Sequence, residues 1–189
     1  MTSPKAAAGS GLDIGPTRPA DGADLWRIAR GAEGLDLNSP YSYLLWCRDF
    51  AATSAVARDG SGQPVGFVTG YLRPEAPGTL FVWQVAVDGS HRGTGVAGAL
   101  LDALAERLTA EGRGPVRVEA TVTPGNTASD RLFRSFARRR GAALTREVLF
   151  PADAFPDACD APAVPDGHED LPDPAHEPEL LYRIGPLTP

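Results

Sequence analysis

The chain lacks most of the features that would mark it as secreted, membrane-spanning or nucleic-acid-binding. Its two cysteines, Cys47 and Cys159, form neither a disulfide framework nor a metal-ligand spacing. A reducing, cytoplasmic setting is therefore the expectation, and no metal is implied. No apolar run is long enough to span a bilayer, and the N-terminal stretch has no signal-peptide core. The excess of positive charge that nucleic acid or an anionic membrane would demand is missing. Lys and Arg number 18 against 24 Asp and Glu, a net charge of −6. No internal repeat is visible. What is present is a 42% hydrophobic chain of 189 residues, enough for the core of one domain with tails.

The most informative stretch runs from Leu80 to Leu108. Leu80 to Val87 is apolar and β-branched and reads as a strand. Asp88 to Gly95 is a turn carrying Gly93 and Gly95. Ala97, Leu100, Leu101, Leu104 and Leu108 then fall on one stripe of a helix. A strand, a glycine loop and a helix start make an anion site from backbone alone. The first N–H groups of a helix have no internal partner, and the helix dipole adds partial positive charge there. The pattern is not a P-loop, because no Gly-Lys-Ser/Thr follows. Nor is it the dinucleotide fingerprint, which needs a third small residue in register and an acidic strand end downstream.

The remaining elements read in order as β-α-α-β-β-β-α-β-α-β-loop-β. Residues 1–11 are small, polar and Gly/Ala-rich and read as a disordered tail, and 12–187 as a single domain. A short strand spans 12–18. Helices follow over 19–30 and from Pro40, the second capped by Asn38 or Ser39. Residues 54–58 and 65–72 form a hairpin around the turn 59–64, and 73–79 is a Pro/Gly turn before the central strand. Val116–Val122 is a strand, Asn126 caps a helix over 127–140, and 143–150 is a strand. Residues 151–178 form a long Pro/Asp-rich loop ahead of a last strand, 180–184. Hairpins mixed with βα crossovers imply a mixed parallel and antiparallel sheet in an α/β chain.

Glu119 stands out in this order. A carboxylate in mid-strand must face a cleft or find a cation, so it reads either as a base or binder for a substrate amine, or as a rim carboxylate paired with Arg117 or Arg146. Trp83, by alternation on the same face as Phe81, Val85 and Val87, is either a core residue or a wall of an acceptor pocket.

Arg92-x-x-Gly95-x-Ala97, preceded by Val85-Ala86-Val87, resembles the acetyl-CoA signature of the GNAT superfamily of N-acetyltransferases. The element order also matches that family, whose fold is a central mixed sheet flanked by about four helices. The resemblance implies acetyl-CoA as co-substrate, held by Val85, Ala86, Val87, Arg92, Gly93, Thr94, Gly95, Val96, Ala97 and Asn126, with an oxyanion at the backbone of Val85–Val87. In many relatives a Tyr seven residues after the Asn protonates the departing thiolate. Here Asn126 and Leu132 fit, but the position holds Phe133, which has no proton to give.

Four segments are similar, more specifically, to the diaminobutyrate acetyltransferases of ectoine biosynthesis. They are 35–43, 81–87, 118–126 and 176–184, within a likeness covering about 14–187. This implies acetylation of the 4-amino group of L-2,4-diaminobutyrate, a homodimer, and an acceptor site formed by Asp36, Tyr41, Trp83, His176 and Glu179, with Glu119 as the catalytic carboxylate. Acceptor chemistry agrees: two ammonium groups call for anions and aromatic faces, and one carboxylate for a cation such as protonated His176. Two alternatives stay open, the same fold acting on another amine or polyamine and a non-enzymatic acetyl-CoA-binding domain.

Overall fold

The computed structural model describes residues 11–32, 34–155 and 177–187. The tail over 1–10, most of the 151–178 loop and His176 therefore lie outside the described residues. Seven strands form one sheet: β1 (Asp13–Gly15), β2 (Ala55–Arg58), β3 (Pro64–Arg73), β4 (Ala76–Val87), β5 (Arg117–Val122), β6 (Leu144–Phe150) and β7 (Glu179–Ile184), in the order β1-β2-β3-β4-β5-β7-β6. The helices are α1 (Gly22–Arg30), α2 (Pro40–Asp49), α3 (Val96–Ala110) and α4 (Thr127–Arg139). Only β4 and β5 pair in parallel among the described strands, and the other neighbours are antiparallel. The mixed sheet and the element order match the expectation. Two boundaries move. The first strand shortens to Asp13–Gly15, and β4 starts at Ala76, which leaves only Pro74 and Glu75 as the turn expected over 73–79.

Local chemistry accounts for the helices. Ser39 caps α2, its Oγ accepting from the Ser42 amide at 3.4 Å, with Pro40 in the first turn. Asn126 caps α4 through the Ser129 amide at 3.0 Å. Val96, Leu100, Leu101, Leu104 and Leu108 form the buried stripe of α3 and pack on the sheet with Phe133 and Phe136 of α4. On the opposite face Leu25 and Ile28 of α1 and Tyr43 and Cys47 of α2 cover Val56, Phe67 and Ala86. Each such fully buried side chain contributes roughly 1.5–3 kcal/mol of transfer free energy.

One expectation fails for a clear reason. Thr69 of β3 pairs with Gln84 but Gly70 pairs with Val82, so Trp83 is an extra residue, a β-bulge. The bulge reverses the alternation of β4. Leu80 and Val82 face the α3/α4 core, and so do Val85 and Val87, whereas Phe81, Trp83, Gln84 and Ala86 lie on the α1/α2 side. Trp83 does not share a face with Val85 and Val87. Gly70 permits the kink: a Cβ there would sit 2.6 Å from the Phe81 carbonyl oxygen.

Candidate active site

Pairing between β4 and β5 covers only Thr79–Val82 against Arg117–Ala120. Beyond it the strands diverge, and β4 from Trp83 on turns an edge without a β5 partner toward a cleft. The cleft holds about 880 Å³ between the end of β4, the first turn of α3 and one side of α4. Gly93 and Gly95 have φ of 76° and 89°, left-handed values that suit glycine, and a Cβ at either would meet no protein atom within 4 Å. The loop backbone is therefore open to an approaching ligand. Gly95 leads into α3, whose first-turn residues Val96, Ala97 and Gly98 line the cleft. Unpaired amides, helix dipole and open glycines together are the chemistry that favours an anion at this point.

The expected cofactor residues largely converge here. Val85, Ala86, Val87, Arg92, Gly93, Gly95, Val96, Ala97 and Asn126 all line the cleft. Thr94 does not; its hydroxyl donates to the His91 carbonyl at 2.7 Å and closes the loop. Sequence reasoning missed the α4 wall. Ala128, Arg131, Leu132, Ser135 and Arg139 recur at three- and four-residue spacing and form a stripe toward the cleft, distinct from the Phe133/Phe136 stripe toward the sheet. That spacing was the available signal. Arg139 is held in place by Asp102 at 2.9 Å and by the Ser135 hydroxyl at 2.9 Å, with its guanidinium beside Gly98.

On the acceptor side, Trp83 is 48% exposed and stacks on Trp46 of α2 at 6.0 Å. It is a surface wall, not a core residue. Tyr71 and Phe81, 5.4 Å apart, continue this aromatic surface. Glu119 is level with Phe81 on β5 and only 3% exposed. Its carboxylate accepts from Arg73 at 2.9 Å and from Arg183 at 3.3 Å, so its cations are these two and not Arg117 or Arg146. Arg183 in turn bridges to Glu147 at 2.6 Å.

The other expected acceptor residues are less closely grouped. Asp36 is exposed, and its backbone carbonyl accepts from Gln84 Nε2 at 2.7 Å, which sets it next to the bulge. Tyr41, on the first turn of α2, is 66% exposed, with Arg48 as a charged neighbour. Glu179 opens β7 opposite Phe150. The neighbouring Glu177 accepts from the Gly125 amide at 3.1 Å, which ties the C-terminal segment to the start of α4. Phe133 is buried with its ring 6.2 Å from Tyr182. Tyr182 donates its hydroxyl to Asp130 at 2.7 Å, and burial first, then that hydrogen bond, raises its pKa.

A family model described as the acetyltransferase (GNAT) family matches residues 23–137. The chain belongs to this family. An L-2,4-diaminobutyric acid acetyltransferase of Streptomyces coelicolor is 60% identical to it over 96% of this chain and 97% of its own length. One of Marinococcus halophilus is 43% identical over 89% and 86%. A solved structure, the diaminobutyrate acetyltransferase EctA of Paenibacillus lautus in complex with L-2,4-diaminobutyric acid and coenzyme A, superposes with a TM-score of 0.79 at 36% identity. It covers 96% of this chain and 98% of that one. The likeness to Ard1 of Thermoplasma volcanium, at 18% identity and a TM-score of 0.66, shows the shared fold alone. In this acetyltransferase no described helix is long and apolar enough to cross a membrane.

Proposed function

We propose that the protein is an acetyl-CoA-dependent N-acetyltransferase that acetylates the 4-amino group of L-2,4-diaminobutyrate in ectoine biosynthesis. The observation that carries this is its near full-length likeness to a structure in complex with both diaminobutyric acid and coenzyme A. The glycine loop, the start of α3 and the α4 arginines suit a phosphate-bearing thioester donor, and the aromatic and anionic groups beside the bulge suit a small diamine.

Transfer is direct. The unprotonated amine nitrogen forms a bond to the thioester carbon, the oxyanion is met by backbone N–H groups at the open edge of β4, and the C–S bond breaks. The attacking nitrogen sheds its proton and the CoA thiolate takes one up, so the exchange balances. An acyl-enzyme has no suitable nucleophile in Cys47: it is buried, and burial first, then Asp21, push its thiol up to about 11. Phe133 leaves the thiolate to depart by itself or with water, which its acidity allows, near ~8.5 for a free thiol.

Glu119 handles the acceptor amine, as a base through water or as an electrostatic anchor. Both its oxygens already accept from guanidinium groups, which favours action through an intervening group. Asp36, Tyr41, Trp83, His176 and Glu179 complete the acceptor site. The working form is a cytoplasmic homodimer, supported by the apolar exposure of the edge strand β6. An amine panel with acetyl-CoA, free-thiol detection and product NMR tests the assignment. Diaminobutyrate should be the best acceptor, with the 4-amino group modified. Acetylation at the 2-amino group, or faster turnover of lysine or spermidine, overturns the substrate. Acetyl-CoA binding without turnover of any amine overturns the enzyme.

A further inference from the structure

Three side chains from separate parts of the chain each donate to a backbone carbonyl in the segment between α1 and α2. Arg92, in the glycine loop, donates to Gly31, Asn126, the cap of α4, donates to Gly34 at 3.3 Å, and Gln84, beside the bulge, donates to Asp36 at 2.7 Å. The three donors come from three different elements, Arg92 and Asn126 on the cleft and Gln84 on β4 behind it. The three acceptors lie within six consecutive residues, and that segment also lines the cleft through Ala32, Gly34 and Leu35. A reciprocal contact strengthens one end: Arg27 of α1 donates to Asp88 of the loop at 2.8 Å and to the Pro64 carbonyl at 3.2 Å.

The Gln84 bond is partly buried, and the Arg92 and Asn126 bonds lie at the surface. Gln84 is 5% exposed, and a buried amide that spends its N–H on a carbonyl is a costly group to place unless the carbonyl must be held. Asn126 uses both ends of its side chain, Oδ1 for the helix cap and Nδ2 for Gly34. Arg92 directs its guanidinium to the Gly31 and Val87 carbonyls. A cation committed to two carbonyls is placed to fix backbone, while the phosphate cradle itself is built from amides and glycines.

We propose that Arg92, Gln84 and Asn126 are positioning residues for the acceptor. They strap the α1–α2 segment to the cleft walls by its carbonyls and so fix Asp36 at the mouth of the site. This rests on the proposed place of Asp36 in the acceptor site. Because the strap crosses the cofactor cleft, the same three residues make the acceptor pocket depend on the loop and helix that hold the donor.

The test uses Arg92→Met, Gln84→Met and Asn126→Ser in the full-length enzyme. Serine keeps a capping oxygen for α4 but is too short to reach Gly34. The expected result is a rise of tenfold or more in KM for diaminobutyrate in all three, and in Gln84→Met, whose residue does not line the cofactor cleft, a calorimetric Kd for acetyl-CoA within twofold of wild type. Adding Asp36→Ala to Gln84→Met should cost little more than either change alone, since the carboxylate is already displaced. Weakened acetyl-CoA binding with an unchanged amine KM overturns the proposal, as does full additivity with Asp36→Ala. A wild-type enzyme inactive on diaminobutyrate overturns the acceptor reading instead. The strap is then judged by amide hydrogen exchange over residues 34–38, which must accelerate in Gln84→Met and Asn126→Ser, and unchanged exchange removes it.

Discussion

Gly95 and Glu119 are the two positions where a single substitution tests the proposed chemistry most directly. At Gly95 the backbone φ of 89° is strained for any L side chain, and the space above it is open. Gly95→Val should raise the KM for acetyl-CoA at least tenfold and leave the amine KM nearly unchanged. Normal acetyl-CoA binding in calorimetry would place the cradle elsewhere. Glu119→Gln keeps shape and removes charge between Arg73 and Arg183. If Glu119 moves the proton, kcat falls by ~10²–10⁴ with acetyl-CoA affinity intact. A rise in the amine KM alone marks it as the anchor, and unchanged kinetics take it out of the site.

At the scale of elements, the glycine loop is fastened by Asp88. Its carboxylate accepts from the Ser90 hydroxyl at 2.7 Å and from Arg27 at 2.8 Å. The Ser90 hydroxyl first, then Arg27, hold its pKa down at about 2. An unfolded aspartate titrates near ~3.9, so the folded value is the lower one and ionised Asp88 stabilises the fold. That contribution is complete above pH ~4 and is lost as pH falls toward 2. Asp88→Asn should therefore narrow the stability gap to wild type between pH ~4 and ~2 in acid-unfolding curves, and a gap independent of pH would refute the assignment. Loop and helices were legible in the sequence because caps, glycines and apolar stripes are local signals. Ser39, Asn126, Gly95 and the α3 leucines all act where they were expected. The cleft-facing stripe of Arg131, Ser135 and Arg139 was not, because an amphipathic reading divides a helix into two faces and α4 uses three. The Gln84 strap and the Arg73 and Arg183 partners of Glu119 are contacts between distant segments, for which a single sequence carries no local signature.

For the whole molecule, the sheet leaves its two long edges unequal. β1 is three residues long at one edge, whereas β6 at the other runs for seven and exposes Val148 at 58% and Phe150 at 49%. A long apolar edge invites a partner strand or a second subunit. Phe150→Glu should lower the mass measured by light scattering to that of a monomer of 19.8 kDa. A wild-type protein already of that mass would rule out the homodimer. The acceptor-side charges run in a chain from Arg73 through Glu119 and Arg183 to Glu147, across strands β3, β5, β7 and β6. They link the exposed end of β3 to the β6 edge.

The bulge at Trp83 makes the length of β4 matter independently of its composition. Everything C-terminal to it, the cofactor edge included, is read in one phase, and everything N-terminal in the other. Substitution and deletion at this position separate the side chain from the kink. Trp83→Ala keeps the residue count, so Val85 and Val87 stay in the core and the protein should melt close to wild type with poor turnover. Removing the residue outright would let Gln84 follow Val82 directly opposite Thr69 and Gly70 in unbroken register, so Val85 and Val87 would keep their places in the core, and that chain should fold with a straighter β4 and poor turnover. At Trp83 the sequence encodes a kink as well as a side chain, and only the deletion removes the kink.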